Sequence, residues 1–155
     1  MTGVQTCALP ISSPAIPSIA GLAETPHLTN ETVFELKQCP AQLVVIGAGP
    51  IGLELAQAFR RLGADVTVLE VARPLAKDDP ECAAIVLDQL AREGVKIRAG
   101  IDIVRVEQAE TKVRVVTTAE GVEETIEGTH LLVATGRRAN TEGLRSEERR
   151  VGKEC

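Results

Sequence analysis

Aromatic side chains are almost missing: there are two phenylalanines, no tryptophan and no tyrosine among 155 residues. Together with a formal charge of −5, this scarcity argues against nucleic acid, whose sites need basic patches and stacking rings. No apolar run reaches the ~18 residues of a membrane span, and no charged stretch leads into an apolar one near Met1. A small-molecule partner and a cytoplasmic location are the expectations. Cys7, Cys39, Cys82 and Cys155 lie too far apart for a CxxC or CxxxxC pair. Neither a metal site nor a local redox disulfide is expected, only buried or free thiols. His27 and His130 read as ordinary surface or strand-end histidines.

What is present fits one globular domain, with 44% hydrophobic and 25% charged residues. Both ends look foreign. Residues 1–12, MTGVQTCALPIS, and 145–155, RSEERRVGKEC, each resemble a translated adapter oligonucleotide and are set aside from fold reasoning. Residues 13–40 read as a connector. Ser13 to Leu22 holds two prolines and a glycine, which disfavours helix and central strand. Thr29 to Lys37 suits a short helix, capped by Thr29 or Asn30, with Val33, Phe34 and Leu36 as apolar contacts.

Residues 41–144 carry the organised pattern. Leu43 to Ile46, LVVI, is continuously apolar, as in a parallel strand covered on both faces. A glycine turn follows, then a helix with Ile51, Leu55, Phe59 and Leu62 at helical spacing, closed by Gly63. Asp65 to Glu70 is a second strand, completing a strand, turn, helix and strand unit. Asp79 and Pro80 open a second helix whose apolar face is Ala83, Val86, Leu87 and Leu90, closed by Gly94. Val95 to Arg98 is the third strand. Ile101 to Glu107, Lys112 to Thr118 and Glu123 to Glu127 are short β-rich runs and suggest an antiparallel meander. His130 to Ala134 should return to the parallel sheet. The expected fold is α/β: a Rossmann-like three-layer domain with a parallel sheet and an inserted antiparallel β-meander.

The chemistry gathers at the first turn. Gly47, Gly49 and Gly52 form G-x-G-x-x-G between a strand and a helix. The first glycine allows the tight turn, the second admits a pyrophosphate to the backbone, and the third lets helix and strand pack closely. The whole turn, Gly47, Ala48, Gly49, Pro50, Ile51 and Gly52, is therefore a candidate dinucleotide-binding loop; a purely structural chain reversal is the alternative. Glu70 ends the second strand eighteen residues after Gly52, where a carboxylate accepts hydrogen bonds from the adenosine ribose; the alternative is a solvated strand-end acid. As a ribose ligand it favours NAD by repelling a 2′-phosphate, although Arg73 leaves room for NADP.

LVVIGAGPIGLELAQAFRRLGADVTVLE from Leu43 to Glu70, with LLVATGRRANTEGL from Leu131 to Leu144, resembles the NAD-binding domain of the FAD-dependent pyridine nucleotide-disulfide oxidoreductases, the lipoamide dehydrogenase, mercuric reductase and glutathione reductase family. SPAIPSIAGL is similar to the loop by which that family's FAD domain leads into its NAD domain. The resemblance implies a parent enzyme, a homodimer, that passes hydride from NADH to FAD and on to a disulfide or metal substrate, with this piece binding NAD and the FAD held mainly by the rest of the chain. It implies that Glu54 lies near the nicotinamide, against an alternative as an exposed first-turn acid. It further implies that Gly136 lies against the nicotinamide half and Ile103 against the adenine. Arg137 and Arg138 match a basic pair of the family, with Ala139 replacing its usual proline; a solvated charge run is the other reading. The family's paired cysteines and late His-Glu pair have no counterpart here, so no catalytic residue is expected and the piece alone should not turn over. Two rivals are part of an NADH oxidase or ferredoxin reductase type of flavoenzyme, and a stand-alone nucleotide-binding sensor.

Overall fold

The computed structural model describes residues 11–140; expectations placed on 1–10 and 141–155 lie outside these described residues. The chain runs β1 (Ser12–Pro14), a 3-10 turn (Val33–Glu35), β2 (Gln42–Ile46), α1 (Pro50–Arg61), β3 (Asp65–Glu70), α2 (Pro80–Arg92) and β4 (Lys96–Ala99). There follow β5 (Asp102–Ala109), β6 (Lys112–Ala119), β7 (Val122–Gly128), β8 (His130–Val133) and β9 (Arg137–Ala139).

The central sheet has the order β4-β3-β2-β8, and all its pairings are parallel. Its strands read as apolar runs because both faces are covered. Leu43, Val45, Val66, Val68 and Leu132 pack against Leu53 and Ala56 of α1 and Ala83 and Leu90 of α2. Alternate residues, Val44, Ile46, Leu69, Leu131 and Val133, pack against Val106, Val113 and Val115 of the antiparallel β5-β6-β7 meander. The layers are thus helices, parallel sheet and meander. Burying each Leu or Val of this kind is worth about 1.5–3 kcal/mol, so the alternation fixes which face each strand shows to which layer. Two-residue turns close both hairpins. Glu110, Glu120 and Gly121 supply the positive φ, at 49°, 50° and 82°, that tight hairpins demand. Among the described residues no helix is long and apolar enough to cross a membrane.

Three expectations shift. The helix expected over Thr29 to Lys37 is a single 3-10 turn, Val33–Glu35. Thr29 caps this segment as expected, its Oγ1 accepting from Glu31 N–H while Thr32 Oγ1 accepts from Thr29 N–H, a capping pair that satisfies donors with no helical partner, but only a single turn follows. Only Val33 there is buried, while Phe34 is 78% exposed. On α1 the inward face is Gly52, Leu53 and Ala56, with Leu55 and Phe59 at its margin and Leu62 exposed. Close packing at Gly52 turns the helix away from the stripe that the apolar spacing suggests. On α2, Ala83 and Leu90 are buried but Val86 is exposed.

The connector, together with Ile11 and Ser12 of the end set aside as foreign, does more than connect. β1 pairs antiparallel with β9, Ser12 opposite Ala139 and Pro14 opposite Arg137. Leu22 is fully buried on the meander side, and Thr25 Oγ1 donates to Gly21 O at 2.7 Å. Cys39 and Cys82 are free and exposed.

Both helices are fixed at their ends. Asp79 caps α2 by accepting from the N–H groups of Glu81 and Cys82 at 3.0 and 3.1 Å. Those bonds hold its carboxyl below the usual range. At the other end Glu93 takes both Arg61 Nε and Nη2 at 2.7 Å, together with Gln89 and Gln57. The Arg61 hydrogen bond, then Gln89, lowers its pKa to about 2. Arg60 Nε adds a bond to Glu93 O, so the C-terminal ends of α1 and α2 are tied.

Candidate dinucleotide-binding cleft

β2 ends inside the core, and its chain must reverse at once to start α1. Gly47 does so at φ 107°, a conformation glycine adopts without steric cost. A Cβ there would lie 2.5 Å from Ala134 O, so β8 also leaves room only for hydrogen. At Gly52 a Cβ would collide with the Gly47 carbonyl; this is the close approach of helix to strand. Gly49 differs, since a Cβ there would meet nothing within 4 Å. It faces open space at the N-cap of α1.

That helix end is prepared for an anion. α1 has no capping side chain, Pro50 at its start and no acid in its first turn. Its backbone N–H groups and the positive end of its dipole therefore face outward uncompensated. A cleft of about 310 Å³ opens there, walled by Gly47 to Ile51, Glu70, Ile103 and Gly136. Gly52 lies beneath it as packing. Ile103 comes from β5 beside a bulge between Ile103 and Arg105, and Gly136 stands at φ 137° with nothing near its Cβ position.

Glu70 reaches across the end of β3. Its Oε2 accepts from Ala48 N–H at 2.7 Å and its Oε1 from Ala72 N–H at 3.0 Å. The carboxylate is thus engaged, unlike a merely solvated strand-end acid. Each oxygen retains a further acceptor direction.

Glu54 does not wall this cleft. It is exposed one turn into α1, so it is not a first-turn acid either. It lines a neighbouring groove of about 260 Å³ between α1 and α2, with Gln57, Cys82 and Leu90. Arg137 is turned toward β1, donating from Nε to Ser12 Oγ and from Nη2 to Ser12 O at 2.7 and 2.6 Å. Neither Arg137 nor Arg138 walls the cleft.

The segment from Val71 to Asp78, of which the sequence singles out only Arg73, also walls the cleft. Leu75 sits there at φ 51° and donates its N–H to Ala48 O at 3.0 Å. Lys77 joins Arg73 and Glu70 among the residues that wall the cleft. Arg73 was visible in the sequence, and Lys77, four residues on, carries the same charge. Nothing in the local pattern announces a left-handed leucine. Thr135 donates to Ala15 O at 2.9 Å and ties the Gly136 loop to the connector. Among the described residues no group of His, Cys, Asp and Glu is placed to hold a metal.

Comparison with known proteins identifies the family. The family model described as pyridine nucleotide-disulphide oxidoreductase matches residues 8–155. Mercuric reductase of Lysinibacillus sphaericus is 42% identical over 134 residues, 86% of this chain and 24% of that protein. Dihydrolipoyl dehydrogenase 3 of Pseudomonas aeruginosa is 42% identical over 120 residues, 76% of this chain and 26% of that protein. The chain thus spans about a quarter of the length of these relatives. Among solved structures, the HOCl-induced flavoprotein disulfide reductase RclA of Escherichia coli superposes with a TM-score of 0.77 at 30% identity, covering 88% of this chain and 31% of that one. LpdA of Mycobacterium tuberculosis gives 0.74 at 30% identity, covering 88% and 29%. On the family match, the relatives and the shared fold, this chain belongs to the pyridine nucleotide-disulphide oxidoreductase family.

Proposed function

We propose that this chain is the NAD(H)-binding unit of a flavin-dependent oxidoreductase whose electrons end on a disulfide or a metal ion. The observation that carries the reading is the glycine turn. Gly47 and Gly52 have no room for a Cβ, whereas Gly49 opens onto the uncapped start of α1. A pyrophosphate fits that arrangement because it needs backbone approach and unpaired N–H donors. Glu70 then stands at the end of the neighbouring strand, where a ribose bound to the same pyrophosphate would present its hydroxyls.

The roles divide along the cleft. Gly47 to Gly52 bind the diphosphate, Glu70 orients the adenosine ribose, Ile103 offers an apolar surface to the adenine, and Gly136 leaves space for the nicotinamide half. Glu54 serves the nicotinamide end from the neighbouring groove between α1 and α2. When bound, the nicotinamide supplies hydride to the flavin. In this reading FAD rests on another domain of the parent chain, because the sequence holds a single G-x-G-x-x-G. The names of the relatives support a disulfide or mercuric ion as final acceptor, and the parent works as a homodimer.

Calorimetric titration of NADH into the purified chain, alongside Gly49→Val, tests the reading. One-site binding that the valine abolishes is expected. Absence of binding at millimolar NADH would overturn it.

A further inference from the structure

We propose that Glu70 also shapes the glycine loop before any nucleotide arrives, so that it is a positioning residue for the diphosphate as well as a ribose ligand. The proposal rests on the nucleotide-binding reading above but concerns the ligand-free protein. The peptide at Ala48 is held from both sides. Its N–H donates to Glu70 Oε2 at 2.7 Å, and its carbonyl accepts from Leu75 N–H at 3.0 Å. One residue earlier, Gly47 N–H donates to Leu69 O at 2.9 Å.

The grip on Ala48 is itself secured. Glu70 Oε1 accepts from Ala72 N–H at 3.0 Å, which fixes the carboxylate to its own turn. Leu75 delivers its N–H from φ 51°, a conformation that L residues rarely adopt, and its side chain is buried in the helix-side core. The segment after β3 is thus locked onto the loop that precedes α1. A loop so held offers the start of α1 to an anion without first paying to order itself. One amide bond per carboxylate oxygen still leaves acceptor capacity for ribose hydroxyls, so the two roles are compatible.

The consequence is specific. Removing the carboxylate should weaken even a diphosphate whose ribose has no hydroxyls to offer. Charge is controlled by comparing Glu70→Gln with Glu70→Ala, since both remove the negative charge and only glutamine keeps a carbonyl able to accept from Ala48 N–H. The first measurement is amide hydrogen exchange in the ligand-free protein. Exchange at Ala48 should be roughly ten-fold faster in Glu70→Ala than in Glu70→Gln, with Val45 in the central strand unchanged as the control for global stability. The second is calorimetry with 2′,3′-dideoxyadenosine diphosphate, which should bind Glu70→Gln about ten-fold more tightly than Glu70→Ala. Equal exchange at Ala48 in the two variants, or equal affinity for the dideoxy ligand, would overturn the positioning role. Failure of the unaltered protein to bind NADH would instead overturn the nucleotide reading, and the exchange measurement would still decide whether Glu70 shapes the loop.

Discussion

The carbonyl oxygen of Gly47 occupies the space into which a Cβ on Gly52 would project. Helix α1 and the end of β2 therefore meet through hydrogen alone at this point, and the fold depends on it. Gly52→Ala should push α1 off the sheet, with an overpacking cost of about 1–3 kcal/mol and loss of nucleotide binding. Gly49→Ala should behave in the opposite way. Its φ of −80° is open to any residue and its Cβ meets nothing, so the melting temperature should stay unchanged while NADH affinity falls. Thermal melts and titrations of the two variants check the contrast.

Much of this was legible beforehand. The apolar runs Leu43–Ile46 and His130–Val133 announce strands buried on both faces, and the three glycines announce the turn from the first of them into α1. The Asp79-Pro80 pair announces the start of α2, and the alternating runs after Gly100 announce the meander. What was not legible depends on partners distant in the chain. Leu22 looks like part of a linker until the meander covers it, and Leu75 becomes left-handed only because burial of its side chain and a bond to Ala48 hold it there. The stripe on α1 was misplaced because Gly52, with no side chain, contributes the closest contact yet adds nothing to an apolar periodicity.

Cofactor choice should turn on Glu70. The unaltered chain is expected to bind NADH more tightly than NADPH, and Glu70→Ala to narrow the gap. Losing a charged hydrogen bond to the ribose should cost about 1.5–3 kcal/mol of NADH affinity. Residual NADPH binding should depend on Lys77 and Arg73, which share that wall, and Lys77→Ala should reduce it. Paired titrations of both cofactors provide the check; equal affinities in the unaltered chain would count against the ribose role.

Glu93 should make stability acid-sensitive. Its carboxyl titrates at about 2 when folded, chiefly through the Arg61 hydrogen bond, against an ordinary carboxylate value near 4.5. A depressed folded pKa adds stability that is complete above the ordinary value and is lost as pH falls toward the folded one. Glu93→Gln should therefore melt below the unaltered chain at pH 7, and the two melting curves should converge as pH is lowered from 4.5 toward 2.

The N-terminal boundary can be located by trimming. Deleting residues 1–10 should leave the melting temperature unchanged, whereas deleting 1–14 removes β1 and the Ser12 partners of Arg137. That second deletion should lower it, because β9 loses its only ladder partner among the described residues.

The central claim is that Gly47 to Gly52 cradle NAD(H) and not a flavin. The most direct test is to purify the chain, record its visible spectrum, and titrate it separately with NADH and with FAD. The account predicts a colourless protein that binds one NADH and no FAD. A stoichiometric yellow flavin spectrum, or FAD binding with NADH silent, would contradict it.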